Sequence, residues 1–136
     1  MTALLTLERS QQVMRLCDEI VELDEQIQGV VIVNQKGRII ENKMRDDRVT
    51  KELSIEKNEM LFMEITLQMS MYHDFDNEFG PVKYGFLIRE KFSILSLSLE
   101  EFTVIVFCDS NVDHFSLYKK IKKINAHIAM NTILAG

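Results

Sequence analysis

The stretch MLFMEITLQMSMY, residues 60–72, decides how the rest of the chain is read. Nine of its thirteen residues are apolar or aromatic, four of them methionine, and no Gly or Pro interrupts it. On a helical wheel at about 100° per residue, Leu61, Phe62, Ile65, Met69 and Tyr72 share one arc. Met60, Met63, Leu67 and Met71 share an arc roughly opposite. Glu64 and Gln68 separate the arcs on one side, Thr66 and Ser70 on the other. A helix lying on one core needs one apolar stripe. The aromatic-bearing arc is expected to pack on a sheet. The Met-rich arc is then covered by the N-terminal helix, or it stays exposed and marks an interface, for which adaptable methionine is suited.

Around this helix the chain alternates cleanly. Residues 5–24 carry Val13, Leu16, Cys17, Ile20 and Leu23 at helical spacing. QGVVIVN, residues 28–34, is apolar on both faces, as a central strand covered on both sides would be. Lys36-Gly37 marks a tight hairpin, and the return strand from Arg38 to Lys43 is more polar, as an edge strand should be. After a charged loop, Ser54 caps a helix over about 55–73, with Glu56 in its first turn. HDFDNEFGP ends it, Gly80-Pro81 being the break. Three strands follow: VKYGFLIR, with Val82, Tyr84, Phe86 and Ile88 alternating; FSILSLSLE, with Leu95, Leu97 and Leu99 alternating with serines; and EFTVIVFCD, apolar on both faces. A last helix spans 112 to about 130 on Leu117, Ile121, Ile124 and Ile128.

The prediction is one α/β domain over residues 1–136, helix-β-β-helix-β-β-β-helix, with an antiparallel five-stranded sheet in a three-layer arrangement. The two strands apolar on both faces belong side by side at the centre, which makes the order 2-1-5-4-3 and leaves the third strand an exposed edge.

Bulk properties narrow the function. At 136 residues, 46% hydrophobic and 27% charged, the chain is a globular single-domain length able to bury a core without staples. A net charge of −5 argues against a dedicated nucleic-acid binder. The cluster Lys119, Lys120, Lys122 and Lys123 reads as the wet face of a helix. Cys17 and Cys108 sit apart among apolar residues, which points to a reduced, cytoplasmic protein. The first residues lack the pattern of a signal peptide, and no run of about 18 apolar residues exists to span a membrane.

No catalytic signature emerges. His73, Asp74, Asp76 and Glu78 faintly resemble a calcium loop, but Gly80 falls at its seventh position rather than the sixth and Gly85 stands where the twelfth needs Glu. A plain acidic turn fits better. His114 and His127, 13 residues apart, lack a ligand-spaced partner. No G-x-S-x-G, P-loop or G-x-G-x-x-G occurs. Cys108, beside Asp109 and Ser110, is the one candidate thiol, and Asp46-Asp47 lack an apolar wall to raise a pKa. Neither an enzyme nor a cofactor is expected.

The element order, the strand order and the two-sided middle helix resemble the roadblock/dynein light-chain fold, a profilin-like α/β layer. LCDEIVELDEQIQGVVIVNQKGRII is similar to the opening of small uncharacterised archaeal proteins with that fold, and EFGPVKYGFLIREKFSILSLSL to their second half. The likeness covers about residues 14–128. It implies a homodimer in which the middle helix packs on its two-fold mate and the third strands pair into one sheet. Carried onto this chain, the implied surface is Met60, Met63, Leu67 and Met71 with Val82, Tyr84 and Phe86. Members of the family often serve as platforms for small Ras-like GTPases, so the resemblance implies a non-enzymatic scaffold or regulatory adaptor with such a partner. No residue here argues independently for a GTPase. A PAS-like small-molecule sensor, with its pocket between sheet and helices, is the alternative.

Overall fold

Strand β1 (Ile27–Val33) is buried along its whole length, and β5 (Phe102–Asp109) along all but its last residue. The computed structural model describes residues 7–45 and 54–135, with side chains over 8–45 and 54–124. In it β1 and β5 pair antiparallel at the centre of a five-stranded sheet. β2 (Ile39–Met44) flanks β1, and β4 (Phe92–Leu99) and β3 (Gly85–Ile88) continue beyond β5. All neighbours are antiparallel and the order is 2-1-5-4-3. Runs such as VVIV and VIVF leave no wet face, so only the centre of a sheet covered on both sides satisfies them.

The two covers differ. Helices α1 (Leu7–Glu22) and α4 (His114–Ala135) pack together on one face. There Leu16, Cys17 and Ile20 meet Val30, Ile32, Leu95, Val104, Val106, Leu117 and Ile121 in the larger core. Helix α2 (Ile55–Tyr72) lies on the other face, where Phe62, Ile65 and Met69 cover Val31, Val33, Ile94, Ile105 and Phe107. Phe62 meets Phe107 edge to face, centroids 6.4 Å apart. The result is the expected three-layer α/β/α arrangement, and the expected stripe on α4 is buried at Leu117 and Ile121. The side chain of Ile128 lies outside the described residues.

The local signals act as their chemistry dictates. The Ser54 hydroxyl accepts the Lys57 N–H at 3.2 Å and caps α2. In the β1–β2 hairpin Gly37 takes φ +78°, and the Asn34 side chain accepts the N–H groups of Lys36 at 2.9 Å and Arg38 at 3.1 Å.

Three sequence expectations shift. HDFDNEFG does not simply break the helix: a 3-10 turn (His73–Phe75) and a short helix α3 (Asp76–Phe79) prolong the helical path to Gly80. Gly80, at φ +83°, ends it by donating its N–H to the Asp76 carbonyl at 2.8 Å. The third strand begins only at Gly85, so Val82 and Tyr84 stand outside the ladder. Pro81 has no N–H to offer a ladder, and Tyr84 is engaged with α4 instead. Tyr72, at the rim of the core arc in the last turn of α2, is 43% exposed.

Candidate interaction surface

Among the described residues, helix α2 is packed on one side only. Met60, Met63, Leu67 and Met71 are 62%, 61%, 61% and 57% exposed, a continuous row at helical spacing. The N-terminal helix does not cover them, because α1 occupies the opposite face of the sheet with α4. Beyond the end of α2, Phe75, Phe79 and Val82 are exposed as well, and Phe75 stacks on Phe79 with centroids 6.2 Å apart. Isolated exposed apolar side chains are ordinary, whereas a contiguous set of this kind marks a contact surface. Sequence reasoning misses the two phenylalanines because they sit between acidic residues in a segment that reads as a turn.

The seven residues named from the sequence therefore separate into two groups. The four on α2 and Val82 are exposed. Tyr84 and Phe86 are half-buried and pack against the α1/α4 core. Tyr84 stacks on Tyr118 with centroids 4.4 Å apart, and its hydroxyl lies 3.0 Å from His114 Nδ1. Phe86 stacks on the same imidazole at 4.4 Å. On β3 it is Leu87, paired with Ile94, that shares the α2 face, and it is half exposed. Among the described residues the outer backbone edge of β3 pairs with no other strand.

Beside α2 an open groove of about 1150 Å³ runs along the β1–β2 hairpin, lined by Lys36, Arg38, Ile39, Ile55, Glu59, Thr66 and Ser70 among others. One wall is fixed by close approach. A Cβ on Gly37 would lie 3.0 Å from the Met63 Cα, so any other residue there would push the helix backbone back by a few tenths of an ångström.

Among the described residues reactive groups are scarce. Cys108 is fully buried, its Sγ 3.5 Å from the Ser93 carbonyl. Burial above all, then Asp109 and Asp24, pushes this thiol up to about 12. Cys17 is pushed up to about 12 by burial, with Glu41 and Asp18 adding to it. A thiol held protonated is a poor nucleophile. Among the described residues no three His, Cys, Asp or Glu side chains converge as metal ligands, and His73 Nδ1 instead meets Asp76 Oδ2 at 2.9 Å. Asp46-Asp47 and the side chain of His127 lie outside the described residues. Among the described residues no helix is long and apolar enough to cross a membrane.

No family model matches the chain, and no curated protein is similar to it in sequence. Solved structures are similar in fold. MglB of Myxococcus xanthus superimposes with a TM-score of 0.72 at 14% identity, over 97% of this chain and 95% of that one. The gliding protein MglB of Thermus thermophilus does so with 0.70 at 10% identity, over 94% and 95%. A Roadblock/LC7 domain from Streptomyces avermitilis does so with 0.66 at 10% identity, over 88% and 97%. The chain has the roadblock fold.

Proposed function

We propose that this roadblock-fold chain, as one domain over residues 1–136, acts as a homodimeric, non-enzymatic adaptor in the cytoplasm. The observation that carries the reading is the uncovered row Met60, Met63, Leu67 and Met71 on α2. A two-fold axis through this row sets each methionine against its mate in an isologous contact. Magnitudes decide what else is needed. Fully burying a large apolar side chain contributes about 1.5–3 kcal/mol, and association costs about 4–15 kcal/mol. Four side chains already partly covered only offset the lower end of that cost. A second element must therefore join, and the unpaired backbone edge of β3 supplies hydrogen bonds in the same dimer. In this arrangement Tyr84 and Phe86 support β3 from the α4 side, while Val82 and Leu87 meet the partner.

The test is molar mass by light scattering at micromolar concentration. The wild type is expected at twice the chain mass, and Met63→Glu and Met71→Glu at one, because each buries a charge in the contact. If all three run as monomers, the dimer is wrong.

The partner we propose for the dimer is a small Ras-like GTPase, by analogy of fold. Capture from native lysate on the wild-type protein, compared with GTP and with GDP present, tests it. Nucleotide-dependent recovery of a GTPase supports the reading, and its absence in both states opposes it.

The competing reading, a small-molecule sensor, draws on the groove beside the hairpin. A ligand bound only to the folded chain raises its melting temperature. A metabolite melt screen without a shift removes this reading.

A further inference from the structure

Two exposed aromatic surfaces on this chain carry opposite charge. In residues 74–79, Phe75 and Phe79 stack with their planes 28° apart, interleaved with Asp74, Asp76 and Glu78. Phe79 is 84% exposed, the most exposed large apolar side chain among the described residues. Asp76 Oδ2 meets His73, and Asp76 Oδ1 has no partner among the described residues. The other surface is the outer side of the first turns of α4. There Phe115 is more than half exposed, and Lys119 holds its ammonium 4.7 Å from the Phe115 ring centroid. Lys122 sits 5.8 Å from that of Tyr118. Of the four lysines on this helix only Lys120 meets a carboxylate among the described residues, that of Asp24 at 3.8 Å.

An occupant of the acidic aromatic turn must be apolar at its centre and cationic at its rim. The chain itself presents such a surface on α4. We propose that the turn at residues 74–79 of one copy docks on the outer face of α4 of a second copy, with Phe75 and Phe79 against Phe115 and the Lys119 and Lys122 stems, and Asp74 and Glu78 facing the ammonium groups. Aromatic anchors within a rim of opposite charges are what protein interfaces favour. The contact joins two different patches, so it is heterologous: each terminal copy keeps one free patch, and assemblies grow unless they close into a ring. It involves neither the α2 row nor the β3 edge, and so stands apart from the two-fold dimer.

Sedimentation velocity tests it, in the Met63→Glu background so that the two-fold contact does not contribute. Assemblies larger than a monomer are expected at about 20 mM salt and are lost at about 500 mM, where screening shortens to a few ångströms. Lys119→Glu/Lys122→Glu and Asp74→Lys/Glu78→Lys are surface changes that leave the far-UV circular dichroism melt intact. Each is expected to weaken self-association about tenfold or more. An equimolar mixture of the two variants is expected to re-form assemblies, because the unaltered turn of one variant meets the unaltered α4 face of the other, while the carboxylates introduced at positions 119 and 122 meet the ammonium groups introduced at positions 74 and 78. Sedimentation that is the same for parent and variants at both salt concentrations overturns the proposal, as does a mixture that stays monomeric. Loss of binding to phosphatidylserine vesicles in the Lys119→Glu/Lys122→Glu variant, with self-association unchanged, also overturns it and assigns the α4 face to an anionic membrane surface.

Discussion

Gly37, at the tip of the β1–β2 hairpin, lies against the backbone of Met63 in the middle of α2, close enough that a Cβ at 37 would stand 3.0 Å from the Met63 Cα and 3.1 Å from its N. The hairpin thus meets the backbone of the helix that carries the exposed methionine row at this point. Gly37 also holds φ +78°. Gly80 shares the positive φ, at +83°, but a Cβ there meets nothing within 4 Å. With ψ 162° Gly80 sits in a region essentially confined to glycine, so Gly80→Ala is expected to cost about 1–3 kcal/mol from backbone strain alone. Gly37→Ala is expected to add roughly 1 kcal/mol or above to its own backbone strain, because backbone rather than a flexible side-chain end must give way. Urea unfolding of the two variants checks this, and a Gly37→Ala variant that loses less than about 1 kcal/mol contradicts the close approach.

Tyr84 and Met63 separate stability from association. Tyr84→Phe keeps the stack on Tyr118 and removes the hydroxyl from His114 Nδ1. Its expected cost is about 0.5–1.5 kcal/mol, with molar mass unchanged. Met63→Glu is expected to do the reverse, since Met63 is already 61% exposed in the single chain. Its urea midpoint should stay near that of the monomeric protein while its molar mass halves. A Tyr84→Phe variant that dissociates would move Tyr84 into the contact itself.

Arg45 ties the end of α1 to the sheet. Its Nε donates to the Ile27 carbonyl at 2.7 Å, and its Nη2 donates to the carbonyls of Val21 and of Asp24, the latter at 3.1 Å. The Val21 carbonyl lies in the last turn of α1, where a helix leaves acceptors without intrahelical donors, and the Asp24 carbonyl in the turn just beyond it. Arg45→Met is expected to cost about 1.5–3 kcal/mol, the range for hydrogen bonds to a charged group. Hydrogen exchange should locate the effect at residues 20–28, and a uniform loss across the chain would contradict the assignment.

The two thiols make stability fall at alkaline pH. Both are raised from an ordinary value of 9.0 to about 12, so the folded chain keeps protons that the unfolded chain releases. The unfolded state binds fewer protons above pH 9, and stability falls with rising pH. Their contribution is complete below pH 9 and is lost between pH 9 and pH 12. A Cys17→Ala/Cys108→Ala variant should lose less stability than the wild type over that window, measured as the urea midpoint. The same burial predicts that a thiol reagent labels the native protein only at its opening rate.

Much of the fold is legible in the residues because it rests on period and composition. A strand such as Ile27–Val33, apolar on both faces, has one place to go in a sheet, and placing it beside Phe102–Asp109 is enough to order all five strands. The two arcs of α2 are equally legible, since side-chain direction on a helix follows from spacing alone. Phe75 and Phe79 are not, because a short window rich in Asp, Asn and Glu reads alike as a turn or as a short helix.

The sequence by itself determined which residues share a face: Phe62, Ile65 and Met69 on one side of the middle helix, Met60, Met63, Leu67 and Met71 on the other. Only the tertiary structure decided what each face meets. Layers form through pairings far apart in the chain, and local periodicity does not say whether α1 crosses to cover the methionines or joins α4 on the opposite face. It joins α4, where Leu16 and Ile20 share a core with Leu117 and Ile121, and the methionine row remains open. The same is true of Tyr84 and Phe86, whose alternation with their neighbours fits either face of β3. Aromatic stacks on His114 and Tyr118, far along the chain, turn them inward toward α4.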